Sequence, residues 1–260
     1  MHGSGRDEPE AADSGKSGDP SQPRIPAEPL PTGGFRPAQR NMPGRPEVNR
    51  PAGGPQAAAG SSGQVGSEDL AGRKAELRAR VLAARRAMPA EQRTVAGRQL
   101  RDAVLELPEL QMAGTVAAYV SVGTEPDTRG LIFALWKRGS YVLLPVLRPD
   151  SDLDWASYEG PDSLAAGPRG LLEPTEPCRG VTAVTSADLV IVPALAVDRA
   201  GMRLGRGGGS YDRALARVGQ GILTVALLYD GELVSLVPAG PHDQPVRAVA
   251  VAGEGISRLR

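Results

Sequence analysis

Two arginines and four glycines stand within seven positions, Arg203-Leu204-Gly205-Arg206-Gly207-Gly208-Gly209, and lead into Ser210-Tyr211-Asp212-Arg213. Glycines without side chains let successive backbone N–H groups curl around an anion. A helix starting at Ser210 adds a dipole that favours negative charge, and Arg203 and Arg206 add fixed positive charge. Such a loop suits phosphate, and a nucleotide is its expected owner. Neither familiar nucleotide motif fits. A Walker A loop counted from Gly201 meets Arg206 where its second glycine belongs, and a Rossmann fingerprint counted from Gly205 meets Ser210 in place of its last glycine.

Three other groups of side chains have the types for chemistry. Lys74 and Arg78 stand four residues apart on an expected helix. Like charges that close suit an anion held between them, or else form part of a solvated basic face with Arg73, Arg80, Arg85 and Arg86. Glu125 follows an expected strand in a polar loop; it can accept hydrogen bonds from a heteroaromatic ligand, or cap the next helix with Asp127 and Thr128. Asp212 and Asp243 each follow a polar loop. Beside bound phosphates they would suit Mg²⁺, which needs only one or two protein carboxylates; Asp212 also reads as a helix N-terminal charge. His242 is the one histidine beyond residue 66, and the chain has no G-x-S-x-G elbow, which leaves a serine-hydrolase triad unsupported.

These residues need elements to position them. Ser67 can cap a helix with Glu68 and Asp69 in its first turn and Leu70, Leu77, Val81 and Ala84 at helical spacing. Pro89 opens a second helix with Leu100, Val104 and Leu107 on one face. Strands are then expected near 115–120, 141–145, 153–158, 188–193, 222–228 and 247–251, with helices at 128–138 and 210–218. Strands alternating with helices predict an α/β fold: a single layered domain with a largely parallel sheet flanked by helices. Ligands of such sheets gather at the carboxyl ends of the strands, where the glycine loop falls.

Composition sets the boundaries. Eleven of the chain's 24 prolines precede residue 60, and aliphatic residues there are isolated (Ile25, Leu30, Val48). Too little apolar area is available to offset chain entropy, so residues 1–66 are expected to be a disordered Gly/Pro-rich tail and 67–260 the folded domain. Thirty basic residues balance thirty acidic ones and aromatics make up 3%, which argues against nucleic-acid or membrane partners. The single cysteine, Cys178, excludes an internal disulfide and reads as a small half-buried apolar residue. With no signal-peptide pattern or spanning segment, the expected setting is the cytoplasm. A monomer is expected, with a dimer as the alternative.

The stretch from Pro193 to Arg213 resembles the signature of the 5-formyltetrahydrofolate cyclo-ligases, also called methenyltetrahydrofolate synthetases. Lys74-x-x-Leu77-Arg78 is similar to the family's amino-terminal lysine–arginine pair, and Ser121-x-x-x-Glu125-x-x-Thr128 to its glutamate–threonine segment. Gly170-Leu-Leu-Glu-Pro174 resembles its glycine–glutamate–proline turn, and His242-Asp243 its late His-Asp pair. The matches run in the family's order across residues 70–252.

The resemblance implies an ATP-dependent ligase that closes 5-formyltetrahydrofolate to 5,10-methenyltetrahydrofolate, releasing ADP and phosphate, with Mg²⁺. The formyl oxygen is a poor leaving group, so its phosphorylation must precede ring closure. Positioning and charge neutralisation then supply most of the catalysis. By the family's pattern Lys74, Arg78, Arg203, Leu204, Gly205, Arg206, Gly207, Gly208, Gly209, Ser210 and Tyr211 hold ATP, with Lys74 and Arg206 acting in catalysis. Val120, Glu125, Arg206 and Ser210 meet the folate, and Asp212 and Asp243 hold the metal. Ser210 departs from the pattern, because the family has a tyrosine there and the presumed folate side loses an aromatic wall. Pro126 alters the backbone beside Glu125. Two other readings stand against this one: a non-catalytic nucleotide- or folate-binding relative, and an ATP-dependent ligase acting on another formyl or pterin compound.

Overall fold

The computed structural model describes residues 62–259, with side chains from Asp69 onward; residues 1–61 of the expected tail lie outside the described residues. The helices are α1 (Ser62–Ala87), α2 (Ala90–Leu105), α3 (Pro108–Met112), α4 (Arg129–Lys137) and α5 (Ser210–Arg217). The strands are β1 (Thr115–Ala117), β2 (Tyr141–Leu147), β3 (Leu153–Ser157), β4 (Leu164–Ala166), β5 (Leu172–Pro174) and β6 (Leu189–Pro193). They continue with β7 (Ala196–Asp198), β8 (Arg203–Leu204), β9 (Leu223–Leu228), β10 (Leu233–Val234), β11 (Ala248–Val251) and β12 (Gly255–Arg258). Helix α1 begins at Ser62 rather than Ser67, so Glu68 and Asp69 are not its first turn.

Seven strands form the main sheet in the order β12-β11-β9-β6-β1-β2-β3. The five inner strands run parallel, and β3 and β12 close the two edges antiparallel. This is the layered α/β architecture expected from the alternation. The inner strands are nearly continuous apolar runs, interrupted by Thr115 in β1 and Thr224 in β9, because both sheet faces are covered. Leu189 and Ile191 of β6, with Leu223, Val225 and Leu227 of β9, point to the face covered by α2 and α4. Val190 and Val192, with Ala226 and Leu228, point to the other face, where α5 brings Ala214 and Leu215. The alternation within an all-apolar run is the pleat of a strand sandwiched between helices. Helix α4 buries Leu131, Ile132 and Leu135 on one stripe, each contributing about 1.5–3 kcal/mol of transfer free energy.

The chain leaves β1 toward β2 and β3 on one side, then returns through β6 to β9 and β11 on the other. Neighbouring strands β1 and β6 therefore diverge in their connections, which opens a crevice beyond their carboxyl ends. Two segments enter it: Tyr119, Val120 and the loop to Glu125 after β1, and Pro193 at the end of β6 with Ala194 and Leu195 after it. A small sheet, β10-β7-β8, carries the chain from β6 to the glycine loop. Its turn fixes Gly201 at φ 85°, where an added Cβ would lie 2.3 Å from the Val246 carbonyl. Asp198 anchors the same turn, accepting the Ala200, Met202 and Val237 N–H groups at 3.0 Å each.

Candidate functional site

All fifteen site residues expected from the sequence line one cavity of about 530 Å³ at this crevice. Lys74 and Arg78 come from α1; Val120 and Glu125 follow β1. Arg203 through Tyr211 supply β8, the glycine loop and the start of α5; Asp212 follows on α5, and Asp243 meets α1 through Lys74. The geometry of the glycine loop has a local cause. Gly207 takes φ 106° and Gly209 φ 67°, conformations that side-chain-bearing residues rarely adopt, and α5 starts directly after Gly209. Helix α5 therefore points its N-terminus at the loop's concave side.

The basic side chains are held rather than loose. Lys74 Nζ lies 2.5 Å from Asp243 Oδ2, joining positions 169 residues apart. Arg78 Nε donates to the Gly205 carbonyl at 2.9 Å. Arg203 donates to the Pro193 carbonyl at 3.1 Å and to Asp212 Oδ1 at 3.0 Å. Its guanidinium also lies 5.8 Å from the Tyr211 ring centroid. Leu204 packs into the cluster of Leu77, Val81 and Leu195 beneath α1, so it forms wall rather than polar contact.

Glu125 does not cap α4. One of its oxygens accepts the Val122 N–H at 2.9 Å, and the other accepts Arg206 Nε at 2.9 Å. The pair is lopsided, with the Glu125 side chain 10% exposed and that of Arg206 53% exposed. Thr128 spends its hydroxyl on the Tyr119 carbonyl, which fixes the chain's exit from β1. Burial pushes the Tyr211 hydroxyl far above its ordinary range, with Glu125 adding to the rise and Arg203 opposing it, so it stays a neutral donor.

The two candidate metal carboxylates each have one oxygen engaged. Asp212 Oδ1 accepts Arg203 and the Gln244 N–H, at 3.2 Å for the latter; Asp243 Oδ2 accepts Lys74 and the Gly240 N–H. Among the described residues the second oxygen of each accepts no hydrogen bond, which leaves that oxygen's lone pairs unengaged. Burial raises the Asp243 carboxyl, but the Gly240 N–H and Lys74 outweigh it and hold it below its ordinary value. Among the described residues no three His, Cys, Asp or Glu side chains form a metal cage. A two-carboxylate arrangement fits Mg²⁺ and would not suit a metal that needs a full protein shell.

The family model described as the 5-formyltetrahydrofolate cyclo-ligase family matches residues 71–252. The chain belongs to this family. It is 40% identical over 193 residues to the 5-formyltetrahydrofolate cyclo-ligase of Mycolicibacterium smegmatis, covering 72% of this chain and 97% of the relative. It is 37% identical over 169 residues to the Escherichia coli K12 cyclo-ligase, covering 64% of this chain and 92% of the relative. Among solved structures it resembles the 5,10-methenyltetrahydrofolate synthetase of Aquifex aeolicus. The TM-score there is 0.63 at 29% identity, covering 72% of this chain and 93% of that one.

The cavity also takes residues that the sequence did not assign to the site. Pro145, Leu147, Leu153, Leu171 and Leu172 add an apolar part to the lining, and Arg169 joins them there. Glu173, from the glycine–glutamate–proline turn, accepts the Leu147 N–H at 2.8 Å and so binds the β4–β5 hairpin to that lining. Their one signal was the turn's resemblance to the family. Two readings need correcting. Arg85 is 1% exposed instead of belonging to a solvated basic face, because Glu232 meets it inside the fold. Cys178 is exposed rather than half-buried. Among the described residues no helix is long and apolar enough to cross a membrane.

Proposed function

We propose that the β1/β6 crevice is the cyclo-ligase centre, where 5-formyltetrahydrofolate closes to 5,10-methenyltetrahydrofolate as ATP becomes ADP and phosphate. The observation that carries this reading is the convergence of fifteen residues, from Lys74 to Asp243, on one cavity with a basic, glycine-rich end and an apolar wall. Lys74, Arg78, Arg203 and the backbone N–H groups of Gly207 to Gly209 hold the phosphates, with Gly205 and Leu204 shaping the loop beneath them. Tyr211 closes over the nucleotide as a neutral hydroxyl. Glu125 accepts from the folate ring system, Val120 lines its pocket, and Ser210 stands at the loop end of that pocket.

The formyl oxygen attacks the γ-phosphorus, and the bond to the ADP oxygen breaks. Arg206 faces the charge that builds on the transferring group, the kind of stabilisation that accounts for most catalysis of this type. The neighbouring folate nitrogen then adds its lone pair to the activated formyl carbon. Phosphate leaves with the carbon–oxygen bonding pair, that nitrogen loses its proton, and the conjugated methenyl bridge remains. The protein forms no covalent bond; it aligns an oxygen, a phosphorus and a nitrogen, and screens their charges.

Asp212 and Asp243 would hold Mg²⁺ through their second oxygens, and the ion would neutralise phosphate charge. A Mg²⁺ titration tests this assignment. Asp212→Asn and Asp243→Asn should each raise the Mg²⁺ needed for half-maximal turnover by about tenfold or more, the minimum seen when a metal site is weakened. Wild-type Mg²⁺ dependence in both variants would remove these carboxylates from the metal site.

A further inference from the structure

Helix α1 delivers Lys74 and Arg78 to the phosphate loop, so its position along its own axis matters to the site. Leu77 and Val81 pack it against Leu195, Ala196, Leu204 and Val237. The hydrophobic driving force for this packing is non-directional, whereas a hydrogen-bonded pair fixes an axial position as well. One turn of slip, about 5.4 Å, would carry Lys74 away from Asp243.

Arg85 lies eleven residues after Lys74 and returns to nearly the same face of the helix, about 16 Å along it. It is 1% exposed. Its Nε donates to Glu232 Oε1 at 2.6 Å, and its Nη2 donates to Glu232 Oε2 and to the Ala194 carbonyl at 2.7 Å each. Glu232 is fixed in turn by the Tyr229 N–H at 2.9 Å, and the guanidinium lies 5.3 Å from the Tyr229 ring centroid. Ala194 forms part of the cavity wall, and the carbonyl just before it, that of Pro193, is held by Arg203. Arg85 thus joins α1 to the end of β6 at the floor of the site. Neither Arg85 nor Glu232 lines the cavity.

We propose that Arg85 and Glu232 are positioning residues: their buried two-point pair sets the register of α1, and so places Lys74 and Arg78 on the phosphates. This rests on the reading of those two residues as phosphate ligands. Stability alone does not account for such a pair, since two well-packed apolar side chains commonly serve as well. Arg85 Nη1 is even left buried without an acceptor. A planar fork that must meet two carboxylate oxygens and a carbonyl together does specify one register, which a Leu or Val surface does not.

The test uses the full chain, thermal melting, and steady-state kinetics with ATP and 5-formyltetrahydrofolate varied separately. Arg85→Met combined with Glu232→Leu removes both charges and keeps the volume. It leaves the Tyr229 N–H and the Ala194 carbonyl without partners and so should melt below wild type, yet, assayed while folded, it should lose about a hundredfold in kcat/KM for ATP, the scale of a roughly 1 Å misplacement. The folate KM should move less than about twofold, because α1 brings only phosphate contacts. If the double variant does not fold, Arg85→Lys decides. It keeps the charge but cannot make all three contacts, and should lose about tenfold in kcat/KM for ATP with folate KM unchanged. Wild-type ATP kinetics in the deciding variant, or ATP and folate constants worsening together, would overturn the proposal. Lys74→Ala is the control that separates the two levels of inference. A wild-type ATP KM in that variant would overturn the phosphate reading and the positioning with it. A raised ATP KM there, beside normal Arg85 variants, would overturn the positioning alone.

Discussion

Arg206 offers the sharpest separation between a residue that builds the site and one that works in it. Its side chain is 53% exposed and touches the rest of the protein through Glu125 Oε1 at 2.9 Å and, more weakly, the Val122 carbonyl at 3.4 Å. With Arg206 this open to solvent, and Glu125 keeping the Val122 N–H after its loss, the pair contributes about 1 kcal/mol to stability. For a folded unit of this size Arg206→Ala should therefore lower Tm by no more than about 2–4 °C. Charge stabilisation in the transition state operates on a larger scale, about 2.7–4 kcal/mol for loss of one aimed donor, or 10²–10³ in rate. The interaction exists mainly at the transition state, so kcat should fall and the ATP KM should stay within about twofold. Thermal melting and initial rates of methenyl formation on the same preparation measure both effects. A variant with near wild-type kcat, or one that loses activity only by melting well below the assay temperature, would refute the reasoning.

Two further substitutions probe the cavity. Ser210→Tyr should return an aromatic face to the folate side and tighten folate KM about two- to tenfold, the range of a single aromatic contact, with ATP KM unchanged; an unchanged folate KM, or a shift in ATP KM instead, would place Ser210 outside that wall. Asp243 carries the pH dependence. Its folded carboxyl sits below the ordinary 3.8, so its contribution to stability is present above about pH 4 and is lost as pH falls through the lower folded value. Tm measured against pH for wild type and Asp243→Asn should converge on acidification; a gap that persists unchanged to about pH 2.5 would contradict the assignment.

Much of this was legible in the chain itself. The uninterrupted apolar run of β6 marks a strand covered on both faces, and its position before the glycine loop places that loop at a carboxyl end. The glycine loop announced itself, because a turn that can curl around an anion needs glycines beside arginines; Lys74, Arg78, Glu125, Asp212 and Asp243 kept two readings on spacing alone and were singled out by the resemblance to the family. What stayed hidden depends on partners distant in sequence. Arg85 looks like any basic helix residue until Glu232, 147 positions away, meets it in the interior. Glu125 reads equally as a cap until Arg206 arrives from 81 positions on. Strands β8 and β10 have two residues each, too few for any periodicity, and are held by Asp198 and the close approach at Gly201. The start of α1 five residues before Ser67 had no apolar periodicity, since that segment holds two glycines and Val65 as its one apolar side chain.

The central claim is that one cavity couples ATP cleavage to ring closure of a formylated folate. Its most direct test follows the methenyl chromophore and ADP in the same reaction, from 5-formyltetrahydrofolate, ATP and Mg²⁺. The expected result is one ADP for each methenyl product, with neither formed when the folate or the ATP is left out. ADP released without the chromophore, or the chromophore formed without ATP, would contradict the account.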